Sequence, residues 1–326
     1  MLELQYNSKV YVACPAADVT GGTELLHQLA SKLQKRRIRA LMYYYPAEYK
    51  NPSPAAFSEY GVGYESRIED EDKNVLVLPE VRIEPIFKYS RIRRVVWWLS
   101  VDNYYRTLAL AKWYARPLKK SLFEVGLRRR VAAHLAQSAY AFDHLTRKGL
   151  RNVTTLSDYL NKDFLASRMN RNRRDIVAYN PKKGFSFMKE VMARSAGIEY
   201  VAIENFTRTQ VVELLRTAKV YVDFGNHPGK DRIPREAAVS GCCVITGRDG
   251  SAGYAEDVPI PDEFKFESKR EFIPAIIDRM HRCLSDYEHQ MRKFDGYRNF
   301  IFGEEKKFDE DVDKIFVRTR EKSNRD

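Results

Sequence analysis

Cysteine is scarce in this chain: four occur in 326 residues, at positions 14, 242, 243 and 283, with no C-x-x-C spacing. That argues against a disulfide framework and a cysteine zinc site, and it agrees with a reducing cytoplasm. Adjacent Cys242 and Cys243 fall in a stretch that reads as a buried strand, where both act as small apolar residues. Long apolar runs are missing too, since no window approaches the ~20 apolar residues of a membrane span. The first residues lack the basic start and apolar stretch of a secretory leader. A soluble or peripheral protein is the expectation. The six histidines have no metal-ligand spacing, so no metal is expected. There is no internal repeat of 20 to 50 residues and no low-complexity tract.

The charge is basic and uneven. Lys plus Arg number 56 against 44 Asp plus Glu, a net +12, with 25 against 16 in residues 1–160 and 31 against 28 in the remainder. Arg91, Arg93 and Arg94 precede Val95, Val96, Trp97 and Trp98. Lys112, Trp113, Tyr114, Arg116, Lys119, Lys120, Arg128, Arg129 and Arg130 interleave cations with aromatics and leucines. Such a surface suits anionic phospholipid headgroups. The competing reading has these charges solvating helix faces and both tryptophans in a core. No recognised nucleic-acid-binding motif accompanies the charge, so nucleic acid is not an expected partner.

The length suits two domains of about 150 residues, and 44% hydrophobic residues can supply two cores. An apolar strand over 9–14 runs into a glycine turn and a helix with Leu25, Leu26, Leu29 and Leu33 on one face. Thr20 can cap that helix, while Gly21 and Gly22 either leave its first amides open to an anion or simply permit a tight turn. Strands over 38–43, 75–79, 95–100, 133–138 and 153–156 alternate mostly with helical patterns, which predicts a parallel doubly wound sheet. Residues 51–72 interrupt this as an irregular excursion. A second series of strands covers 175–179, 200–203, 219–224 and 243–246, with a capping box at Thr207 and Gln210. The expected organisation is an α/β chain with a Rossmann-like domain over 1–158, a linker over 159–173, a second Rossmann-like domain over 174–302, and a terminal helix with a polar tail over 303–326.

Residues 218–256, AKVYVDFGNHPGKDRIPREAAVSGCCVITGRDGSAGYAE, carry the most information. Val220, Val222 and Phe224 alternate as a strand, 225–234 is loop-forming, 236–240 is a short helix stopped by Gly241, and 242–246 is the next strand. In an open α/β sheet ligands sit outside the carboxyl ends of such strands, where Glu236 can accept hydrogen bonds from vicinal hydroxyls. The plainer reading is a first-turn glutamate that favours the helix dipole. Earlier, Lys182, Lys183 and Gly184 lie between the first strand and first helix of the second domain, where a phosphate would meet helix-end amides and two ammonium groups. Lysines in a surface turn are otherwise solvated. Gly250, Ser251, Ala252 and Gly253 form a small-residue loop. Asp102 follows the 95–100 strand and is placed either to orient or deprotonate a hydroxyl or to cap the helix starting near Tyr104.

The segment PREAAVSGCCVIT resembles the proline, glutamate, small helix, glycine and strand segment of GT-B-fold nucleotide-sugar glycosyltransferases, in particular the retaining family-four (group 1) enzymes. The resemblance implies two Rossmann-like domains facing each other across a cleft, with C-terminal helices crossing back. It implies that Glu236 binds the donor ribose and that Lys183 neutralises the leaving diphosphate. Lys182 stands near an arginine position that this chain does not match. Ser251 belongs to the loop whose backbone approaches the donor, and Gly21, Gly22, Thr23 and Glu24 match a glycine pair and glutamate near the donor diphosphate or the acceptor. Where the family places a histidine against the donor sugar this chain has none, which leaves Asp102 as the catalytic candidate. Where it has a glutamate eight positions before Glu236 this chain has Pro228, with Asp223, Asp231 or the His227 backbone as substitutes. The implied function is retaining transfer of a sugar from a nucleoside diphosphate donor to a glycan or lipid-linked acceptor in cell-surface polysaccharide biosynthesis. The implied setting is cytoplasmic or at the inner face of an anionic membrane, without cofactor or metal. Two alternatives remain: a non-catalytic partner subunit, which Pro228 favours, and a nucleotide-sugar epimerase, for which no carboxylate and histidine set is found.

Overall fold

The apolar stretches become the strands of two parallel sheets in the computed structural model, which describes residues 1–110, 116–165 and 172–319. Lys112, Trp113 and Tyr114 lie outside the described residues, as do 166–171 of the expected linker and the tail from 320. The chain divides into two compact units, one of residues 1–158 with the chain from Lys306 onward, the other of Tyr159–Glu305.

The first unit holds β1 (Leu2–Leu4), β2 (Lys9–Pro15), α1 (Gly21–Lys35), β3 (Arg39–Tyr45), β4 (Val75–Pro79), α2 (Pro85–Lys88), β5 (Arg93–Trp98), α3 (Val101–Ala109), α4 (Arg116–Arg130), β6 (Ala133–Ala136), α5 (Ala139–Arg147) and β7 (Val153–Thr155). Six strands pair in parallel in the order β3-β2-β4-β5-β6-β7. Val10, Tyr11, Val12 and Ala13 are all buried, the continuous apolar run of a strand covered on both faces. The order reverses at β2, so the carboxyl ends of β2 and β4 form a topological switch point.

Trp97 and Trp98 are core, which decides between the two readings of that segment. The Trp97 indole donates to the Leu156 carbonyl at 2.9 Å, and its ring lies 6.2 Å from Phe308. The Trp98 indole donates to His134 Nδ1 at 3.2 Å, which places the imidazole proton on Nε2 facing the Leu127 carbonyl at 3.1 Å. Burial pushes His134 down to about 4 and keeps it neutral.

Glu80, buried at the carboxyl end of β4, accepts from the Leu99 amide at 2.9 Å and is pushed up to about 8 by burial. An acid whose folded pKa is raised contributes stability that is complete below its unfolded value of about 4.5 and lost as pH rises through 8. Relative to Glu80→Gln, the wild type is expected to lose about 1.4 kcal/mol per pH unit across that window. Parallel profiles in urea unfolding at pH 5 and pH 8 would contradict this.

The second unit holds α6 (Lys162–Leu165), β8 (Arg174–Tyr179), α7 (Phe185–Met192), β9 (Glu199–Ala202), α8 (Arg208–Thr217), β10 (Ala218–Asp223), α9 (Arg232–Val239), β11 (Cys243–Thr246), α10 (Ile273–Ser285), α11 (Tyr287–Arg292) and the start of α12 (Asp295–Ile315). Its four strands are parallel in the order β11-β10-β8-β9. The order reverses at β8, so the switch point lies at the carboxyl ends of β8 and β10. Thr207 and Gln210 form the expected capping box on α8. From Lys306 onward α12 groups with the first unit, where Asp309 pairs with Lys32 at 2.7 Å and Asp313 with Arg36 at 2.5 Å. The chain ends its described part in β12 (Phe316–Arg318), parallel to β1.

Candidate functional site

Three loops leave the carboxyl edge of the second sheet, and glycine lets them touch. Gly184, after β8, has φ +63°, and a Cβ there would lie 2.3 Å from the Phe224 carbonyl oxygen at the end of β10. Gly225 returns the contact, since its Cβ would lie 2.4 Å from Lys183 Cβ. Gly250, after β11, has φ +61° and would meet the His227 carbonyl at 2.0 Å. The 180–184, 224–231 and 248–253 segments are thus pressed together beside the switch point, at contacts no side chain fits.

Lys183 and Asp231 meet across two of these loops, Nζ to Oδ2 at 2.7 Å. Lys182 is exposed, and its amide donates to Asn180 Oδ1 at 3.0 Å. Gly184 is the N-cap of α7 and, having no side chain, gives its first amides no side-chain cap. Ser251 is buried and committed within the loops: its hydroxyl donates to the Gly229 carbonyl at 2.6 Å and its amide to the His227 carbonyl at 2.9 Å. Asp223 accepts from the Tyr221 hydroxyl at 2.8 Å and the Gly225 amide at 2.9 Å. Burial first, then the nearby Asp223, Asp231 and Glu236 carboxylates, hold the Tyr221 hydroxyl well above its usual range. Glu236 therefore belongs to the same acidic neighbourhood, and it is buried on α9.

α9 starts at Arg232, four residues before the expected helix, so Glu236 sits in its second turn rather than its first. Pro234 lies inside the first turn, where a missing amide costs no helical bond. Gly241 closes the helix with φ +97°, as its place in the sequence suggests.

Behind the loops is a buried charge triad. Glu304 of α12 pairs with Lys230 at 2.5 Å and with Arg235 of α9 at 2.8 Å, and all three side chains are almost fully buried. Arg235 also donates to the carbonyls of Lys230 at 3.0 Å and Asp231 at 3.2 Å. The triad thereby fixes the turn that carries Asp231. Sequence reasoning missed Glu304, which is 69 positions from Arg235.

In the first unit, Gly21 and Gly22 open α1 beside the β2 end of that sheet, under a capping box between Thr20 and Thr23. A Cβ on Gly22 would only reach ordinary contact with Leu99, 3.6 Å away. Packing therefore does not require glycine there. Glu24 is buried and accepts from the Tyr60 hydroxyl at 2.8 Å. α3 is capped by Ser100, which accepts from the Asn103 amide at 3.1 Å, rather than by Asp102. Asp102 stands in the first turn of α3, half-buried, and accepts from the Tyr140 hydroxyl at 3.1 Å.

These two α/β units have the GT-B glycosyltransferase fold. Among solved structures, the chain is similar to HepE of Anabaena in complex with UDP-glucose (11% identity, 94% of this chain and 98% of that one, TM-score 0.66). It is similar over the same shares to sucrose-phosphate synthase of Thermosynechococcus elongatus (11% identity, TM-score 0.67). TarM is similar over 76% of this chain (12% identity, TM-score 0.56), and the match spans about half of TarM, 54%. No protein-family profile matches the chain, and no curated protein sequence matches it.

Proposed function

We propose that this protein is a glycosyltransferase that moves a sugar from a nucleoside diphosphate donor to a glycan or lipid-linked acceptor in cell-surface polysaccharide biosynthesis, with retention of configuration. The observation that carries the proposal is that Lys183 and the start of α7 follow β8, while the loop after β10 brings Asp231 to Lys183 and leads into α9 with buried Glu236, at the switch point of the second unit. Solved neighbours of this fold include complexes with UDP and UDP-glucose. In this reading the Lys183 ammonium and the α7 amides take up the charge that develops on the departing diphosphate. Lys182, exposed in the same turn, adds long-range attraction. Glu236 accepts hydrogen bonds from the ribose hydroxyls, and Ser251 braces the loop beneath the donor. Asp102, held by Tyr140, orients an acceptor hydroxyl in the first unit, near the α1 start at Gly21 and Gly22. The departing phosphate accepts the acceptor proton, so no strong protein base is needed.

The membrane part of the proposal rests on α4. Leu118, Leu122 and Val125 project from one side of it and are 75%, 51% and 47% exposed, while Phe123, Gly126 and Leu127 seat the opposite side. Arg116, Lys120, Arg128, Arg129 and Arg130 are exposed around them. Apolar side chains framed by cations match an anionic bilayer surface. No described helix is long and apolar enough to cross a membrane.

Turnover tests the proposal: the purified protein with UDP-hexoses and anionic vesicles bearing lipid-linked glycan should release UDP and extend the glycan. Nucleotide binding without release or transfer would favour the non-catalytic subunit. Vesicle binding should fall steeply with salt and be lost on replacing Arg128, Arg129 and Arg130 by Gln; binding that survives those changes would reject membrane attachment through α4.

A further inference from the structure

The Asp223, His227 and Asp231 side chains converge, each offering one ligand atom within 4.8 Å of the others. His227 is fully buried, and neither of its ring nitrogens makes a hydrogen bond. Its Nδ1 stands 3.3 Å from Asp231 Oδ2 and its Nε2 stands 3.7 Å from Asp223 Oδ1. A buried imidazole with two unused nitrogens between two carboxylates calls for an unseen partner. We propose that Asp223, His227 and Asp231 form a binding site for a divalent first-row cation beside Lys183.

Two oxygens and one imidazole nitrogen suit Mn2+ or Zn2+ better than a purely oxygen-seeking ion. Ligand atoms ~2.1 Å from one ion lie at most ~4.2 Å apart, so the widest separation must contract by about 0.6 Å. Asp231 is the one partly exposed member, and rotation of its side chain on the fixed turn would supply that movement. Asp223 is already oriented by Tyr221 and Gly225, the outer support that metal-binding carboxylates use. Asp231 Oδ2 faces both Lys183 and His227, so the ion would share that oxygen with Lys183 or take Oδ1 after a turn of the carboxylate. The expectation of no metal rests on the spacing of the histidines alone, whereas here the 224–231 loop, not a regular helix, brings 223, 227 and 231 together.

Charge gives the site a use, a point that rests on reading this edge as the diphosphate site. The side chains of Asp223, Asp231 and Lys183 sum to −1, the wrong sign to face an anion. A divalent ion makes the sum +1.

The test uses the full chain, stripped with EDTA and free of nucleotide, titrated with Mn2+ and followed by loss of the free-ion electron paramagnetic resonance signal. The expected result is one ion per chain at micromolar strength, displaced by Zn2+. Asp231→Asn and His227→Asn should each weaken binding at least ten-fold, while Glu267→Ala, a surface carboxylate paired with Lys269, should bind as the wild type does. If His227→Asn does not fold, the partly exposed Asp231→Asn decides alone. Absence of stoichiometric binding by the wild type, or binding unchanged in the folded variants, would overturn the site. Glu236→Ala at saturating Mn2+ tests the donor reading separately, since Glu236 lies outside the metal set: it should lose nucleotide and keep the ion.

Discussion

Glu304→Ala is expected to destabilise the protein by about 3–5 kcal/mol. The carboxylate is an anion that Lys230 and Arg235 share, and they are 5% and 0% exposed, so its removal takes an ionic partner from two buried cations. Stacking does not compensate: the Lys230 ammonium stands 4.8 Å from the Phe300 ring centroid, a contact worth about 2 kcal/mol at best when desolvated. Glu304→Gln keeps the volume and an acceptor for Arg235, and should cost less than the alanine. Because Arg235 also holds the carbonyls of Lys230 and Asp231, the alanine should additionally loosen the turn bearing Asp231 and weaken nucleotide binding. Urea unfolding reads the first effect. A loss below about 1 kcal/mol, the level of an exposed pair, would mean the triad is solvated.

Lys183→Ala is the second large effect expected. An ammonium to phosphate bond is a hydrogen bond between charged groups, worth about 1.5–3 kcal/mol, so affinity for a nucleoside diphosphate should fall roughly 10- to 100-fold. Asp231 adds to the loss. Its carboxylate sits 2.7 Å from the Lys183 ammonium, and without that neighbour it would present a bare negative charge to the phosphates. Lys183→Ala in an Asp231→Asn background should therefore lose less than Lys183→Ala alone, a coupling that a double-mutant cycle measures. Additive losses would place Asp231 away from the ligand.

The sheet architecture was legible because parallel strands covered on both faces read as short apolar runs, as at Val10 to Ala13 and Val220 to Val222. Turn chemistry was legible where one residue type dominates: Gly241 as helix stop, Thr207 with Gln210 as capping box. Boundaries failed where two readings share a residue. Pro234 looked like a loop former yet fits the first turn of α9, and Ser100 took the cap on α3 that Asp102 was equally suited to fill. Pairings across long stretches of chain left no local trace. β1 and β12 are three residues each and 314 positions apart in register, and Glu304 reaches Arg235 from another helix. In the candidate site, Lys183 and Gly184 were visible from their place after the first strand of a unit. Asp223, Asp231 and the His227 backbone were legible only as substitutes for the missing glutamate, and the clustering of the three side chains was not visible, because their spacing has meaning only once the loop conformation is known.

The central claim is that the carboxyl edge of the second unit binds a nucleoside diphosphate through Lys183 and Glu236. Calorimetric titration of UDP, GDP, dTDP, ADP and CDP into the purified protein, with Glu236→Ala alongside, tests it most directly. One diphosphate should bind at micromolar strength, about 8 kcal/mol, with binding lost in Glu236→Ala while the variant stays folded. No binding of any of the five, or full affinity in Glu236→Ala, would contradict the assignment.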